Sequence, residues 1–226
     1  GVTPEEKFTV RNAKTLHFSE VSSLKGQKPV DIAFISVKSY DTERVAAAIQ
    51  PYLAPDGYAV SLQNCMNEET IVSVVGPGRT LGVIASIISV ELYEAGRIRR
   101  MAAKGGDKHT VFRIGEIDGS LTPRVAELVS LFSLIDSTKA TTNLYGERWT
   151  KLTANTITHG ILGATGLDNR SVYVDRGTAH RIGIKLAAEA IAVGRAQGYQ
   201  LGTILGISPD HWLGAGNGDA AALKAV

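Results

Sequence analysis

The chain has 226 residues, 44% of them hydrophobic, and its 24 Lys plus Arg stand against 22 Asp plus Glu for a formal net charge of +2. That length and apolar content can bury one large core or two modest ones, while so small a charge builds no field suited to nucleic acid or an anionic membrane. The single cysteine, Cys65, excludes an internal disulfide and a cysteine-built zinc cage, which points to a reducing compartment with the cytoplasm as the expected location.

From the N-terminus, Val30 to Val37 is a near-continuous, β-branched apolar run, the pattern of a strand buried on both faces of a parallel sheet. Lys38 follows it. Thr42 to Leu53 then carries a helical stripe at Val45, Ala46, Ile49 and Leu53, with Asp41 as the expected N-cap. Tyr58 to Leu62 is a second strand, Glu68 to Val75 a short helix closed by Gly76-Pro77-Gly78, and Leu81 to Ile88 a third strand. Strands alternating with helices imply a parallel sheet, whose ligands sit beyond the carboxyl ends of its strands. That rule selects Lys38, after the first strand, and Asn64, after the second. Each alone is an ordinary turn residue; together they mark one sheet edge where loops carry chemistry.

From Glu94 to about Arg113 short alternating segments are separated by Gly96 and Gly105-Gly106, an antiparallel edge, and the cluster Arg97, Arg99, Arg100, Lys104 and Lys108 is a solvated hairpin face. Ile114 to Gly119 is a turn, Thr122 to Leu134 is an amphipathic helix with Pro123 in its first turn, and Ser137 to Thr142 fits one more strand. The period is helical from Leu144 onward, with long helices over Tyr145 to Gly163 and Thr178 to Gln197. The fold class is therefore α/β: a partial Rossmann-like parallel sheet domain over 1–143 with an antiparallel edge, then an all-α domain over 144–226. The apolar stretch Ile182 to Ile191 fits the core of that domain or a homodimer contact, and the sequence leaves both open.

Arg148 to Asn155 sets a lysine and an amide four positions apart in a helix. Residues i and i+4 are neighbours on a helix surface, so Lys151 and Asn155 can converge on one small ligand. His159 extends the polar stripe by another turn, either as a further substrate ligand or as a lone helix His that is simply packed or exposed. The remaining histidines, His17, His109, His180 and His211, show no metal-ligand spacing, and no metal site is expected. Gly214-Ala215-Gly216-Asn217-Gly218 follows Asp210-His211-Trp212 rather than a strand, so it lacks the setting of a dinucleotide fingerprint. No apolar run reaches the ~18 residues that a membrane span needs; the longest, near Val83 to Val90, is broken by Ser86 and Ser89.

Four motifs in order, Asp31 to Lys38, Leu62-Gln63-Asn64, Ile114-Gly115-Glu116 and Trp149-x-Lys151-Leu152-x-x-Asn155, resemble the ketopantoate reductase family over about residues 25 to 170. The resemblance implies an NADPH-dependent reductase acting on a 2-keto acid, with ketopantoate as the family substrate, a Rossmann-like cofactor domain and a helical domain. It assigns Lys151 as the catalytic lysine, Asn155 and Asn64 as substrate-binding amides, and Lys38, Asn64 and Cys65 to the cofactor side. Cys65 stands where the family usually has glycine, and His159 where a second substrate-binding asparagine is usual. The family's glycine-rich phosphate turn has no counterpart before Lys38, and its C-terminal carboxylate and serine should lie beyond Val226. The start at Gly1, without an initiator Met or a signal-type segment, and the abrupt helical end at Ala220 to Val226 make a fragment of a longer protein the expectation. Two other readings stay open: a β-hydroxyacid or 6-phosphogluconate type of dehydrogenase, and a nucleotide-binding relative without catalysis.

Overall fold

The structure is a computed structural model that describes residues 9–168 and 177–226, which divide into two compact units, Gly1–Leu144 and Tyr145–Val226. In the first unit β1 (Val30–Ile35), α1 (Thr42–Ile49), β2 (Leu53–Ser61), α2 (Glu68–Val75) and β3 (Thr80–Ala85) alternate. Among the described residues they build a five-stranded sheet with β6 (Phe112–Glu116) and β7 (Thr138–Ala140), in the order β1-β2-β3-β6-β7. β1, β2 and β3 pair in parallel, as do β6 and β7, and the one antiparallel pairing among them, β3 with β6, sets β6 and β7 opposite to the other three. The sequence-predicted parallel sheet with an antiparallel part is thus present, and the antiparallel part takes two forms. One is β6 within the sheet. The other is a separate hairpin of β4 (Val90–Glu94) and β5 (Arg97–Arg100), with Val90, Leu92 and Ile98 exposed on it.

Side-chain alternation along β2 divides the core. Tyr58 and Val60 pack with Leu81, Val83, Ile114 and, from α3 (Pro123–Ser133), Val125, Leu128 and Phe132. Ala59, between them, packs with Ile35 and with Ala46, Ile71 and Val75 of α1 and α2. β3 is buried along nearly its whole length and reads as a continuous apolar run, whereas β1, expected from the sequence to be buried on both faces, is an edge strand of the sheet, with Asp31 and Phe34 exposed and only Ile35 buried. Near the start of β2 the chain passes so close to β1 that a Cβ on Gly57 would lie 2.5 Å from the Val30 carbonyl oxygen. Arg79 secures the same stretch, donating to the carbonyls of Gly57 (2.7 Å) and Ala54 (2.8 Å).

Two ion pairs fasten the irregular segments. Arg124 meets Glu116 through two parallel bonds of 2.7 and 2.6 Å and also donates to the Gly78 carbonyl at 2.6 Å, joining α3, β6 and the turn before β3. Thr122, the N-cap of α3, accepts from the Val125 N–H and donates to the same Glu116 carboxylate at 2.5 Å. Arg100, at the end of the hairpin, pairs with the buried Asp136, whose carboxylate also accepts from the N–H groups of Ser137 (2.7 Å) and Gly105 (2.9 Å). The basic cluster is therefore not uniformly a solvated face: Arg97 and Arg99 are exposed, whereas Arg100 is turned inward as an anchor.

In the second unit α4 (Leu144–Asn155) runs through a π-helical turn at Thr156–Gly160 into α5 (Ile161–Thr165), which Gly166 closes in the left-handed conformation at φ 69°. α6 (Thr178–Ala196), α7 (Pro209–Gly216) and α8 (Ala220–Ala225) complete it, the last two capped by the Ser208 and Asp219 side chains. Ile157, Ile184, Ala187, Ile191, Ile204 and Trp212 form its core. Trp149 lies against Gly194, donates its indole N–H to the Ala190 carbonyl at 2.8 Å and contacts the Tyr199 ring. Within the apolar stretch of α6, Ile184, Ala187 and Ile191 are thus core, and Ile182 is exposed. Among the described residues, no helix is long and apolar enough to cross a membrane.

Burial pushes the Asp136 carboxyl up, yet the hydrogen bonds from Arg100 and from the Ser137 and Gly105 amides outweigh it and hold the group at about 2. A carboxyl depressed on folding contributes stability above its unfolded value near 4 and loses it as pH falls through that range toward 2. Asp136→Asn should therefore melt lower than the parent protein at neutral pH, with the gap closing progressively below about pH 4. Thermal melts of both proteins from pH 7 to 2 check this, and a pH-independent gap refutes the assignment.

Candidate functional site

The register of the two leading strands sets the geometry at the sheet edge. Ile35 of β1 lies opposite Ser61 of β2, and the Leu62 N–H donates to the Ile35 carbonyl at 2.9 Å. The chain leaves both strands at one level, and Lys38 and Asn64 stand at equal offset beyond that pair. Both side chains are exposed, as is Cys65. Between them lies Gln63, buried at 7% exposure, whose amide nitrogen donates to the Val37 carbonyl (2.7 Å) and the Thr42 hydroxyl (2.9 Å). Asn67, also buried, donates to the Asn64 carbonyl at 2.6 Å and so closes the turn that presents Asn64 and Cys65. Cys65 adopts φ 66°, the left-handed region that favours glycine.

Lys38, Asn64 and Cys65 are thus brought to one place by adjoining parallel strands, where a doubly wound sheet holds its ligand. Asp41 departs from expectation: its side chain makes no capping bond and instead accepts from Arg44 at 2.8 Å, so α1 starts at the buried Thr42 without a side-chain cap.

The donor set fits one part of a nicotinamide dinucleotide. An ammonium, an amide and an exposed turn at neighbouring strand ends suit a polar ring carrying a carboxamide and its ribose. A diphosphate is served less well here, because the helices after β1 and β2 open with Glu43 and with Glu68 and Glu69, anions where the helix dipole would otherwise favour phosphate. Among the described residues no glycine-rich turn joins a strand to a helix, and the string at Gly214 to Gly218 finishes α7 instead.

In the second unit, Lys151 and Asn155 lie one turn apart on α4 and are half-buried. They sit roughly 200° around the helix from Trp149 and Thr153, which turn into their own unit. Arg148 shares their face at i, i+3 and i+7 and is buried at 2% exposure. Sequence reasoning passed over it, although its spacing to Lys151 and Asn155 was visible in the same eight residues. His159 falls within the π turn and is exposed. Such a turn inserts an extra residue into the helical ladder and recurs at functional sites. Gln63 is the other residue that the sequence does not single out, since nothing local marks an amide whose partners are 21 and 26 residues away.

The family model described as ketopantoate reductase PanE/ApbA matches residues 2–113. A PanE/ApbA family ketopantoate reductase from Ralstonia eutropha JMP134 is 25% identical, covers 82% of this chain and 57% of its own, and superposes with a TM-score of 0.67. The 2-dehydropantoate 2-reductase from Geobacter metallireducens GS-15 is 24% identical over 85% of this chain and 61% of its own, with a TM-score of 0.68. A D-mandelate dehydrogenase solved with NADH is 14% identical over 87% and 62%, with a TM-score of 0.66. The last two are likenesses of fold. The chain spans about three fifths of the length of these three structures.

The left-handed backbone at residue 65 gives a direct test of local strain. Cys65→Gly should stabilise the protein by about 1 kcal/mol, since the left-handed penalty on a side-chain-bearing residue exceeds the entropy cost of glycine. The shift in urea midpoint measures it; a lower midpoint than the parent protein shows that the Cys65 side chain contributes more than its backbone costs.

Proposed function

The chain belongs to the ketopantoate reductase family through residues 2–113, and on that premise we propose that it takes part in the NADPH-dependent reduction of a 2-keto acid to a 2-hydroxy acid, with ketopantoate as the substrate. The observation that carries this reading is the pair Lys38 and Asn64, set at equal offset beyond Ile35 and Ser61 within the matched segment. Lys38, Asn64 and Cys65 would hold the nicotinamide half of the cofactor, which supplies the hydride when bound.

The proton is the task of the chain's own residues. Lys151 carries a compact ammonium whose Nζ donates to the keto oxygen and transfers a proton to it as negative charge develops there. Charge stabilisation realised only in the transition state is worth on the order of 3 kcal/mol. Asn155, one turn on, offers both a donor and an acceptor to the substrate carboxylate or hydroxyl without adding charge. His159, where the family's second asparagine would stand, is the position at which this chain's choice of 2-keto acid would differ from the family's. NADPH in preference to NADH is part of the proposal, and the small-molecule partner is the keto acid itself.

The test is NADPH oxidation by the purified protein with ketopantoate and a panel of related 2-keto acids, NADH being run in parallel. Turnover with at least one keto acid supports the reading. Binding of NADPH without turnover would leave a non-catalytic relative, and neither binding nor turnover overturns the reductase assignment. Lys151→Ala should lower kcat at least ~100-fold with an unchanged melting temperature; near-normal kcat would remove Lys151 from the chemistry.

A further inference from the structure

Deepening the reductase reading and resting on it, we propose that Gln63 is a positioning residue: its one side-chain amide brackets the segment Lys38 to Asp41 and locks it to the turn carrying Asn64. The nitrogen donates to the carbonyl of Val37, immediately before Lys38, and to the hydroxyl of Thr42, immediately after Asp41. The bracket is anchored in the residue directly preceding Asn64. Both partners of Gln63 are held by regular structure, Val37 just past β1 and Thr42 at the buried start of α1.

The chemistry at this position is restrictive. A backbone carbonyl only accepts, so the orientation of the Gln63 amide is set by Val37 and is not a free choice between oxygen and nitrogen. Bracketing the segment needs two N–H donors on one atom. Leu has none, Asn is shorter by a methylene, and Glu has none when ionised and one when protonated. Lys38 and Asn64 are exposed, long or flexible side chains, and their mutual placement therefore depends on the backbone that Gln63 holds. Gln63 itself is buried and touches neither substrate nor cofactor in this proposal; it acts through Lys38 and Asn64, so its loss falls on cofactor affinity and leaves the proton transfer at Lys151 in place.

The test uses the full chain with Gln63→Leu and Gln63→Glu, each checked for folding by its thermal melt. Backbone hydrogen exchange followed by mass spectrometry should rise about tenfold over residues 38–42 in Gln63→Leu, because the Val37 and Thr42 oxygens lose their shared donor, while β1 and β2 keep their protection. The NADPH dissociation constant should rise about tenfold in both variants near pH 8, with kcat at saturating NADPH within about threefold of the parent protein. For Gln63→Glu the affinity gap should narrow near pH 5.5, as the protonated carboxyl regains one donor toward Val37; for Gln63→Leu it should not. Unchanged exchange over 38–42 in both variants overturns the proposal, as does a loss confined to kcat. If the parent protein fails to bind NADPH, the reductase reading falls, and the exchange measurement still decides for or against the bracket. If Gln63→Leu does not fold, Gln63→Glu carries both measurements.

Discussion

The in-register parallel pairing of β1 with β2 is the constraint on which the candidate site depends. With Ile35 opposite Ser61 and the ladder prolonged by the bond from Leu62 to Ile35, the two chains are released at one height, and whatever follows each strand is delivered to the same ledge. A shift of one residue would send the apolar side chains of β2 to the wrong face and separate Lys38 from Asn64 by a further step along the strand. Gly57, too close to the Val30 carbonyl to carry a Cβ, and Arg79, bonded to the carbonyls of Ala54 and Gly57, hold the entry to β2 where that register begins. The site is thus specified from the far end of the strands as well as from its own loops.

Around that sheet the polar groups are arranged so that burial is compensated. Glu116 accepts from Arg124 and Thr122, and Asp136 accepts from Arg100 and two backbone amides. Each carboxylate joins segments that the backbone ladder leaves apart: β6 to α3 in one case, the hairpin and the Gly105 loop to the approach to β7 in the other. Buried charges of this kind are costly unless they are paired and hydrogen-bonded, and here their geometry is bidentate or multiply donated.

Much of this was legible in the sequence, for identifiable physical reasons. Burial leaves β3 as an uninterrupted apolar run, β1 keeps an apolar, β-branched composition although it is an edge strand with only Ile35 buried, and the 3.6-residue stripe of α1, α3 and α6 follows from one buried face, so these elements are legible in the sequence. β6 is not legible: Gly115 and Asp118-Gly119 give Ile114 to Gly119 the composition of a turn, yet Ile114 to Glu116 belong to the strand, and nothing local sets its direction against β3. Asp41 had the composition of a cap but found Arg44 instead, a competition between two local partners that no spacing rule resolves. Lys38, Asn64, Lys151 and Asn155 were picked out by position after strands or along a helix. The buried partners Gln63, Asn67 and Arg148 were missed, because their environments arise from long-range contact or from tertiary burial. Cys65 was legible only as a departure from the family's glycine; that its backbone is left-handed required the fold.

The β4–β5 hairpin has a consequence for colloidal behaviour. Among the described residues it is a two-stranded ribbon that no further strand pairs with, so its outer backbone donors and acceptors are unladdered, beside the exposed Val90, Leu92 and Ile98. A flat apolar ribbon of that kind is a template on which other molecules could stack edge to edge. This one carries Glu91 and Glu94 on one strand and Arg97 and Arg99 on the other, with Arg99 folded over the Tyr93 ring and Arg97 paired to Glu94. A second ribbon that approaches like edge to like edge must bring like charges together and displace their hydration before it can form its first hydrogen bond. The same residues that look idle in the folded chain therefore act in concentrated solution, as a barrier to the stacking of identical edges.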